Sequence, residues 1–205
     1  MKGFILELRR AKNEDMIVTL LTTDSIKRYY RFFGARHSIL QLGHLVDFEV
    51  EGDDGRFMPR IRGLSHFGFE WLYDHNRLQL WHNFINLLAP HLKDSDIVEP
   101  FYYDLLLQSA QRWHKQNPKR IICDSFVSIL NYEGRVHTED YCYICEEPLI
   151  GSISLMRAFI PTHSYCISGV SINKEKFFEF LKSGSSINYE DDEIELLYSV
   201  VMRGL

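Results

Sequence analysis

The sequence predicts an α+β protein with an N-terminal five-stranded barrel and a C-terminal helical domain that contains an embedded segment of another kind. Three observations predict this class. Residues 2–66 have the composition of short strands, and residues after 70 space their apolar side chains as helices do. Paired cysteine and histidine residues then interrupt the helices. We therefore expect two domains, residues 1–70 and 71–205, with the inserted segment at about 140–170.

The strands are predicted from side-chain alternation and from turns. Five segments combine β-branched, aromatic and alternating charged and apolar residues, and the turn-forming runs KNED, TTDS and EGDDG separate them. The predicted strands are FILEL, MIVTLLTT, IKRYYRFF, LVDFEVE and RFMPRIRGL, the last two joined as a hairpin. HSILQLGHL, after the third strand, is long enough for one or two helical turns. This pattern favours an OB-fold-like Greek-key barrel, although a five-stranded sandwich or an SH3-like barrel gives a similar one.

Helical spacing begins after residue 70. NRLQLWHNFINLLAPHL places its apolar residues at intervals of three and four, which puts them on one face of a helix. These residues are Leu78, Trp81, Ile85, Leu88 and Leu92. VEPFYYDLLLQSAQRWHK and PKRIICDSFVSILNY continue the pattern, with a break near QNP and a new helix starting at Asn117 and Pro118. KEKFFEFLKS and DDEIELLYSVVM are two further predicted helices, the last starting at Asp191 and Asp192.

Composition narrows the class of protein. The chain has 205 residues, of which 45% are hydrophobic and 25% charged, as is ordinary for a globular protein. The sequence has no apolar run of about 18 residues that could span a membrane. Its N-terminus also lacks the charge order and apolar core of a signal peptide, so we expect a cytoplasmic protein. The four cysteines are then expected to be free thiols or metal ligands and not disulfides.

Two ligand pairs form the most specific local pattern. CYIC contains Cys142 and Cys145, and HSYC contains His163 and Cys166 with the same spacing. Zn²⁺ prefers four nitrogen or sulfur ligands in a tetrahedron, and each ligand-x-x-ligand knuckle can place two of them on one turn. The pattern therefore predicts a closed, structural zinc site in a zinc-knuckle segment. The alternative is that these are ordinary core residues, as we expect for Cys123.

Two enzymatic interpretations of these residues are excluded, the first by residue spacing and the second by structural context. HTE before CYIC resembles the signature of zinc deaminases, but Glu139 lies too close to Cys142, and Tyr141 stands where that signature has proline. A redox C-x-x-C would need a βαβ context, which the helical neighbours do not provide. The sequence has no phosphate-binding P-loop and no nucleophile elbow. We therefore expect a protein that is not an enzyme.

SIKRYYRFFGARH, residues 25–37, is a local cluster of basic residues in an acidic chain. The formal net charge is −5, but residues 1–70 carry 11 basic and 10 acidic side chains against 12 and 18 in the rest. Strand alternation predicts two faces, with one set facing solvent and the other filling the barrel. The first set is Lys27, Tyr29, Arg31 and Phe33, and the second is Ile26, Arg28, Tyr30 and Phe32. Cations beside rings suit a polyanion with flat bases, and the alternative is a solvated strand face.

Further cations extend this candidate surface. Arg36 follows a turn, Arg9 and Arg10 end the first strand, and Arg60 and Arg62 share one face of the last. The predicted nucleic-acid contacts are Lys27, Tyr29, Arg31, Arg36, Arg9, Arg10, Arg60 and Arg62. A second cluster, RWHKQNPKR, contains Arg112, Lys115, Lys119 and Arg120, whose ordinary interpretation is helix-end cations near backbone carbonyls.

The order of these features resembles the RecO family of bacterial DNA-repair mediators. GFILELRRAKNEDMIVTLLTTDS is similar to the family's strand, acidic turn and strand ending in threonine. FFGARHS is similar to its basic Gly-Ala-Arg element, and LVDFEVE to its apolar-acidic strand. The knuckle pairs fall where the family often has four cysteines, with His163 here in place of one. HSIL after GAR has fewer basic residues than the family usually offers, and the chain is short for the family.

The resemblance implies a non-catalytic recombination mediator in DNA repair. Such a protein binds single- and double-stranded DNA, anneals strands, and helps to load recombinase together with RecR and single-strand-binding protein after DNA damage. It would be bacterial and cytoplasmic, and associated with the nucleoid when bound to DNA. The resemblance also suggests that the RWHKQNPKR cations receive the acidic, apolar C-terminal tail of single-strand-binding protein. The alternative from another class is a zinc-stabilised interaction adaptor that contacts no nucleic acid.

Overall fold

Five N-terminal strands close into a barrel in the computed structural model, which describes residues 1–52, 55, 57–93 and 95–205. The strands are β1 (Lys2–Arg10), β2 (Met16–Leu21), β3 (Ile26–Arg31), β4 (Leu45–Glu51) and β5 (Arg60–His66). They are hydrogen-bonded in the order β1-β2-β3-β5-β4, and β4 returns to β1. All neighbours are antiparallel except β3 and β5. This confirms the predicted five-stranded, OB-fold-like barrel followed by helices.

The barrel interior is filled by apolar side chains from all five strands. Its fully buried residues include Ile5, Val18, Leu20, Tyr29, Val46, Phe48 and Ile61. A register shift in β1 between Ile5 and Glu7 breaks the alternation. Phe4 and Leu6 are buried as well. Phe4 packs against the Trp81 ring at 6.2 Å, which shows that the outer face of β1 is covered by helix.

The predicted helical turns in HSILQLGHL are not formed. A single 3-10 turn, Gly34–Arg36, lies before this segment, and residues 37–44 follow as turns. The reason is pairing with β1, because Gly43 donates its amide to the Ile5 carbonyl and Ile5 donates to His44. The predicted turn EGDDG includes Asp53 and Asp54, which lie outside the described residues, as does Arg56 in the last predicted strand.

Two helices complete the first compact unit, residues Met1–His114. They are α1 (His75–His91) and α2 (Pro100–Arg112). The Asp74 carboxylate caps α1 by accepting from the amides of Asn76 and Arg77. The predicted division at residue 70 falls inside this unit, where strands give way to helices. The division into a binding domain of residues 1–70 and a helical domain therefore stays a prediction.

The second unit, Lys115–Leu205, combines three helices with a small sheet. Its elements are α3 (Pro118–Tyr132), β6 (Ser152–Leu155), β7 (Pro161–Thr162), β8 (Ile172–Asn173), α4 (Lys174–Ser183) and α5 (Asp191–Val201). The Asn117 side chain caps α3, and Glu190 and Glu193 form a capping box on α5. Cys123 is fully buried in α3, and burial raises the pKa of its thiol, as expected for a core cysteine. No helix in the described ranges is both long and apolar enough to cross a membrane.

A buried histidine, His44, and a half-buried one, His82, make the first unit sensitive to acid. Burial lowers the pKa of His44 and of His82 below 6.5, and the Nε2 atom of His82 has no hydrogen-bond partner among the described residues. The unfolded chain therefore binds these protons more readily, so stability is present above pH 6.5 and is lost as pH falls below it. The rings facing His44 include His66, at 5.6 Å.

We expect the His82→Leu variant to lose less free energy of unfolding than the parent protein between neutral and acidic pH. The measurement is urea denaturation across that range. His75→Leu, at an exposed position, is the matched control and should keep the parent's pH dependence. Equal pH dependence of the free energy of unfolding in all three proteins would show that protonation of His82 does not destabilise the folded protein.

Candidate nucleic-acid interface and metal centre

Tyr29 lies inside the barrel and not on its surface. It pairs with Val18 in β2, is 1% exposed, and places its ring 5.5 Å from the Phe48 ring in an edge-to-face contact. The prediction that Tyr29 faces solvent is therefore wrong. The inward face of β3 is the one whose β2 neighbours, Val18 and Leu20, fill the core. Neither face of IKRYYRFF is uniformly apolar, so alternation alone could not select the buried one.

The exposed rings are those that follow β3. Phe32 and Phe33 are 46% and 53% exposed, and Phe33 has a positive φ of 50°, which ends the extended strand. The Asp15 carboxylate holds this end in place, accepting from the Phe33 amide at 2.7 Å and the Tyr30 hydroxyl at 2.5 Å. The Tyr30 hydrogen bond, followed by that of Phe33, lowers the pKa of Asp15. Phe32 was predicted to fill the barrel, and the structure places it outside.

Two guanidinium groups lie over these rings. Arg60 is centred 5.0 Å from the Phe32 ring, and Arg36 is 5.2 Å from the Phe33 ring. Such cation–π contacts stabilise an exposed pair by about 0.5–1 kcal/mol and hold the cation beside the ring. We call Phe32, Phe33, Arg36 and Arg60 the ring–cation surface. It brings together two of the predicted cations and two exposed rings. Tyr29 was expected to supply such a ring but is buried.

Two of the other predicted cations are partly neutralised by carboxylates. Arg9 pairs with Glu7 at 3.1 Å, and Arg62 lies 3.3 Å from Glu49 and 3.6 Å from Glu51. Arg36 itself donates to the Glu14 carboxylate at 2.6 Å. These pairs are exposed and contribute about 0–1 kcal/mol each, so a phosphate could displace them at little cost.

The Arg31 side chain forms a hydrogen bond within the barrel. Its Nη1 donates to the Ile61 carbonyl at 3.0 Å, which links β3 to β5. Its Nε is buried without a hydrogen-bond partner in the described part of the chain. Arg31 is therefore half-buried, and its contact with nucleic acid stays a prediction. Lys27 and Arg10 are exposed, as predicted. Arg28 is exposed too, although it was predicted to point inward.

The second basic cluster is divided between the two units. Arg112 ends α2 and donates to the Gln108 carbonyl, whereas Lys115, Lys119 and Arg120 belong to the second unit. Lys119 pairs with Glu195 at 2.5 Å, and Arg120 donates to the Ser186 carbonyl at 2.7 Å. These two cations therefore stabilise packing within the second unit, where α3 contacts α5. Lys115 is exposed.

The four predicted metal ligands converge in the second unit. The first knuckle is a tight hairpin, in which Cys142 donates its amide to the Glu147 carbonyl and accepts at its own carbonyl from Glu146. The second is a turn in which Cys166 donates its amide to the His163 carbonyl. One candidate ligand atom from each of the four residues lies within 4.8 Å of the other three.

The spacing of the donor atoms fits a tetrahedral ion. Ligands at about 2.3 Å from a central Zn²⁺ would lie about 3.8 Å from one another. The Sγ atoms of Cys145 and Cys166 are 3.7 Å apart, and Nδ1 of His163 lies 3.3 Å from the first and 4.0 Å from the second. His163 Nε2 is 3.0 Å from the Pro148 carbonyl, so a proton on Nε2 leaves the Nδ1 lone pair for a metal. These residues can hold a metal ion.

The electrostatics of the cluster also suit a cation. Burial opposes ionisation of Cys142, but the amides of Cys145, Ile144 and His163 outweigh it and lower its pKa to about 6. Burial and the neighbouring sulfur atoms raise the pKa of Cys166 to about 11. Three thiols this close repel one another as thiolates, and a bound cation would balance their charge. With four protein ligands, such a centre would have no open position and would be structural.

These features define a class: a protein with an OB-fold-like barrel, followed by helices and a cysteine–histidine centre that could hold a metal. Residues 1–72 match the family model described as RecO N terminal. The first 72 residues are therefore similar to the N-terminal region of RecO proteins, as the resemblance predicted. A search of curated proteins finds no match.

Proposed function

We propose that this protein is a non-catalytic mediator that binds and anneals single-stranded DNA during repair. The observation that carries the proposal is the ring–cation surface on the RecO N-terminal region. An exposed ring can stack on any unpaired base, because every base has a flat face. A guanidinium group held beside that ring can neutralise the adjacent phosphate. Together, these two contacts give binding that does not depend on sequence.

Annealing follows from the same charges. Two complementary strands repel each other through their phosphates, and a protein that neutralises some of those phosphates lowers this repulsion. The nucleic acid is not altered in this process, so no catalytic group is required. The proposed role is therefore to hold strands and not to cleave or join them.

Protein partners complete the proposed role. In this proposal RecR and single-strand-binding protein act with the chain to load recombinase. Of the predicted tail-binding cations, Lys115 is exposed and Arg112 is half-buried at the end of α2, whereas Lys119 and Arg120 are held by other groups. We therefore assign the acidic tail of single-strand-binding protein chiefly to Lys115.

The metal centre has a structural role in this proposal. Three cysteines and one histidine favour Zn²⁺ over the harder cations Mg²⁺ and Ca²⁺, which prefer oxygen ligands. The ligands span residues 142–166, so an ion bound to all four would hold two turns of the second unit together. Its contribution is to the stability of that unit.

The Phe32→Ala/Phe33→Ala variant is expected to bind single-stranded DNA roughly ten- to a hundred-fold more weakly, because a stacked base contributes about 1–3 kcal/mol. The dependence of affinity on salt should change little, since the cations remain. The measurement is fluorescence anisotropy with labelled oligothymidine at two salt concentrations. Tyr73→Ala is the matched control, because Tyr73 is 93% exposed on the same unit and lies outside the ring–cation surface.

Two results would contradict the proposal in different ways. If the double variant binds as tightly as the control, the rings do not stack on bases. If the parent protein binds no single strand at either salt concentration, the proposed function fails. The zinc-stabilised interaction adaptor is then the better interpretation.

A further inference from the structure

A cleft of about 840 Å³ lies in the first unit between the barrel and the end of α1. The barrel contributes residues of β1, β2 and β3 together with Met58 and Pro59, and the opposite wall runs from Asn86 to Asp96. A cleft of this size matches those that bind small organic molecules. Its apolar lining includes Ile26, Met58, Pro59 and Pro90.

Basic side chains outnumber acidic ones among the lining residues. The cations are Arg9, Lys27, Arg28 and Lys93, and the carboxylates are Glu7 and Asp96. Arg9 is paired with Glu7, and Lys27 acts on Asp24, whose pKa is lowered first by hydrogen bonds from Thr22 and Ser25 and then by this charge. Within the described ranges, neither Arg28 nor Lys93 has an ion-pair partner. These two charges are therefore available to an anion.

The two walls are joined by backbone hydrogen bonds. The chain after α1 runs beside the start of β3, where Ile26 donates its amide to the Asp96 carbonyl at 3.1 Å and Val98 donates to the Asp24 carbonyl at 3.2 Å. Ser25 and Ile97 form a bridge in the same place. These hydrogen bonds hold together the two segments that carry Arg28 and Lys93. The cleft is therefore formed without a ligand.

The cleft continues into the ring–cation surface. Met58 and Pro59 line the cleft, and the next residue is Arg60, which lies over Phe32. The Tyr30 amide donates to the Pro59 carbonyl at 2.8 Å, so this segment runs along β3. From Arg28 to Phe32 the strand covers about 13 Å, a length that about four stacked nucleotides would also cover.

We propose that the cleft is a second nucleotide-binding site, in which Arg28 and Lys93 bind backbone phosphates of a strand that extends from the ring–cation surface. Bases in the cleft would contact the apolar surface of Met58 and Pro90. This inference rests on the proposed single-strand binding and adds two residues that the sequence did not indicate. Arg28 was assigned to the barrel interior, and Lys93 lies beyond the basic stretch.

The test compares affinity across a series of oligothymidines of increasing length. The parent protein should gain affinity once the strand is long enough to reach the cleft, whereas Arg28→Gln/Lys93→Gln should lose this gain and bind the shortest strands as the parent does. On long strands its log–log salt slope should be shallower by about 1.4, because two single-strand phosphate contacts are removed. Lys12→Gln/Lys182→Gln removes the same charge at exposed positions and should behave as the parent.

The outcomes separate this inference from the function on which it rests. If the parent binds no single strand, the proposed function fails and the inference fails with it. If the parent binds but the cleft variant keeps its length dependence and salt slope, only the inference is rejected. An equal loss of affinity at every length also rejects it, because Arg28 and Lys93 would then act on the strand at the ring–cation surface.

Discussion

Cys145→Ser is expected to abolish metal binding and to lower the stability of the second unit by several kcal/mol. Structural Zn²⁺ contributes about 10–16 kcal/mol of apparent binding free energy in small domains at neutral pH. Part of the second unit has its own apolar core, where Phe126 and Phe159 pack with ring centroids 4.9 Å apart, so the loss is expected to be partial. Residues 140–167, which contain both knuckles, are expected to unfold first.

The position of Cys145 makes this test selective. Cys145 is exposed, and an exposed substitution of this size ordinarily changes stability by no more than about 0.5 kcal/mol. A large loss can therefore come only from the missing ligand. The measurements are metal content by mass spectrometry and urea denaturation with and without a chelator. Cys123→Ser, in the core of the same unit and outside the cluster, should retain one equivalent of metal. Parent protein without metal, or a stable Cys145→Ser variant, would contradict the expectation.

Trp81→Ala is expected to lower the free energy of unfolding of the first unit by about 3–5 kcal/mol, as is typical when a large buried ring is removed. Trp81 is fully buried, and its ring lies 5.0 Å from that of Trp71 and 4.9 Å from that of Trp113. Its Nε1 also donates to the Gly43 carbonyl at 2.9 Å. The variant loses ring contacts and leaves that carbonyl without this partner.

Trp81→Phe is the milder replacement. It keeps a six-membered ring at this position and loses the pyrrole part of the indole together with its hydrogen bond, so its loss should be clearly smaller. Urea denaturation followed by circular dichroism measures both variants. A loss below about 1 kcal/mol for Trp81→Ala would show that Trp81 contributes little to the packing of α1 on the barrel.

Gly43 shows how closely the segment before β4 approaches α1 at Trp81. Its φ of 75° is the left-handed conformation that favours glycine, and a Cβ atom there would overlap the Trp81 indole. The nearby Ile5–His44 and Gly43–Ile5 hydrogen bonds hold the segment against β1. The glycine is visible in the sequence, but its partner in α1 lies 38 residues further along the chain and could not be inferred from it.

The helices were well predicted because their signals are local. Periodic apolar residues and caps such as Asn117 act within a few positions, and α3, α4 and α5 begin where those signals indicated. The metal centre was predicted for a related reason, since each knuckle places two ligand types within one turn. The convergence of the two knuckles confirms that pairing of turns.

The DNA-binding side chains were predicted less well because they depend on distant partners. Whether Tyr29 points in or out is decided by its pairing with Val18, and the charge on Arg36 is offset by Glu14, 22 residues away. Exposure of Phe32 depends on the left-handed Phe33 that ends β3. None of these contacts leaves a periodic trace in the sequence.

The sequence by itself determined the class of fold, most of the strands and helices, the four candidate metal ligands and the likeness to RecO. These follow from residue type and short-range spacing. Only the tertiary structure decided which face of β3 is buried, which cations are bound to carboxylates, and that Arg28 and Lys93 line one cleft. The physical reason is that barrel closure and the packing of α1 join residues far apart in the chain, and burial and charge at a site depend on those neighbours.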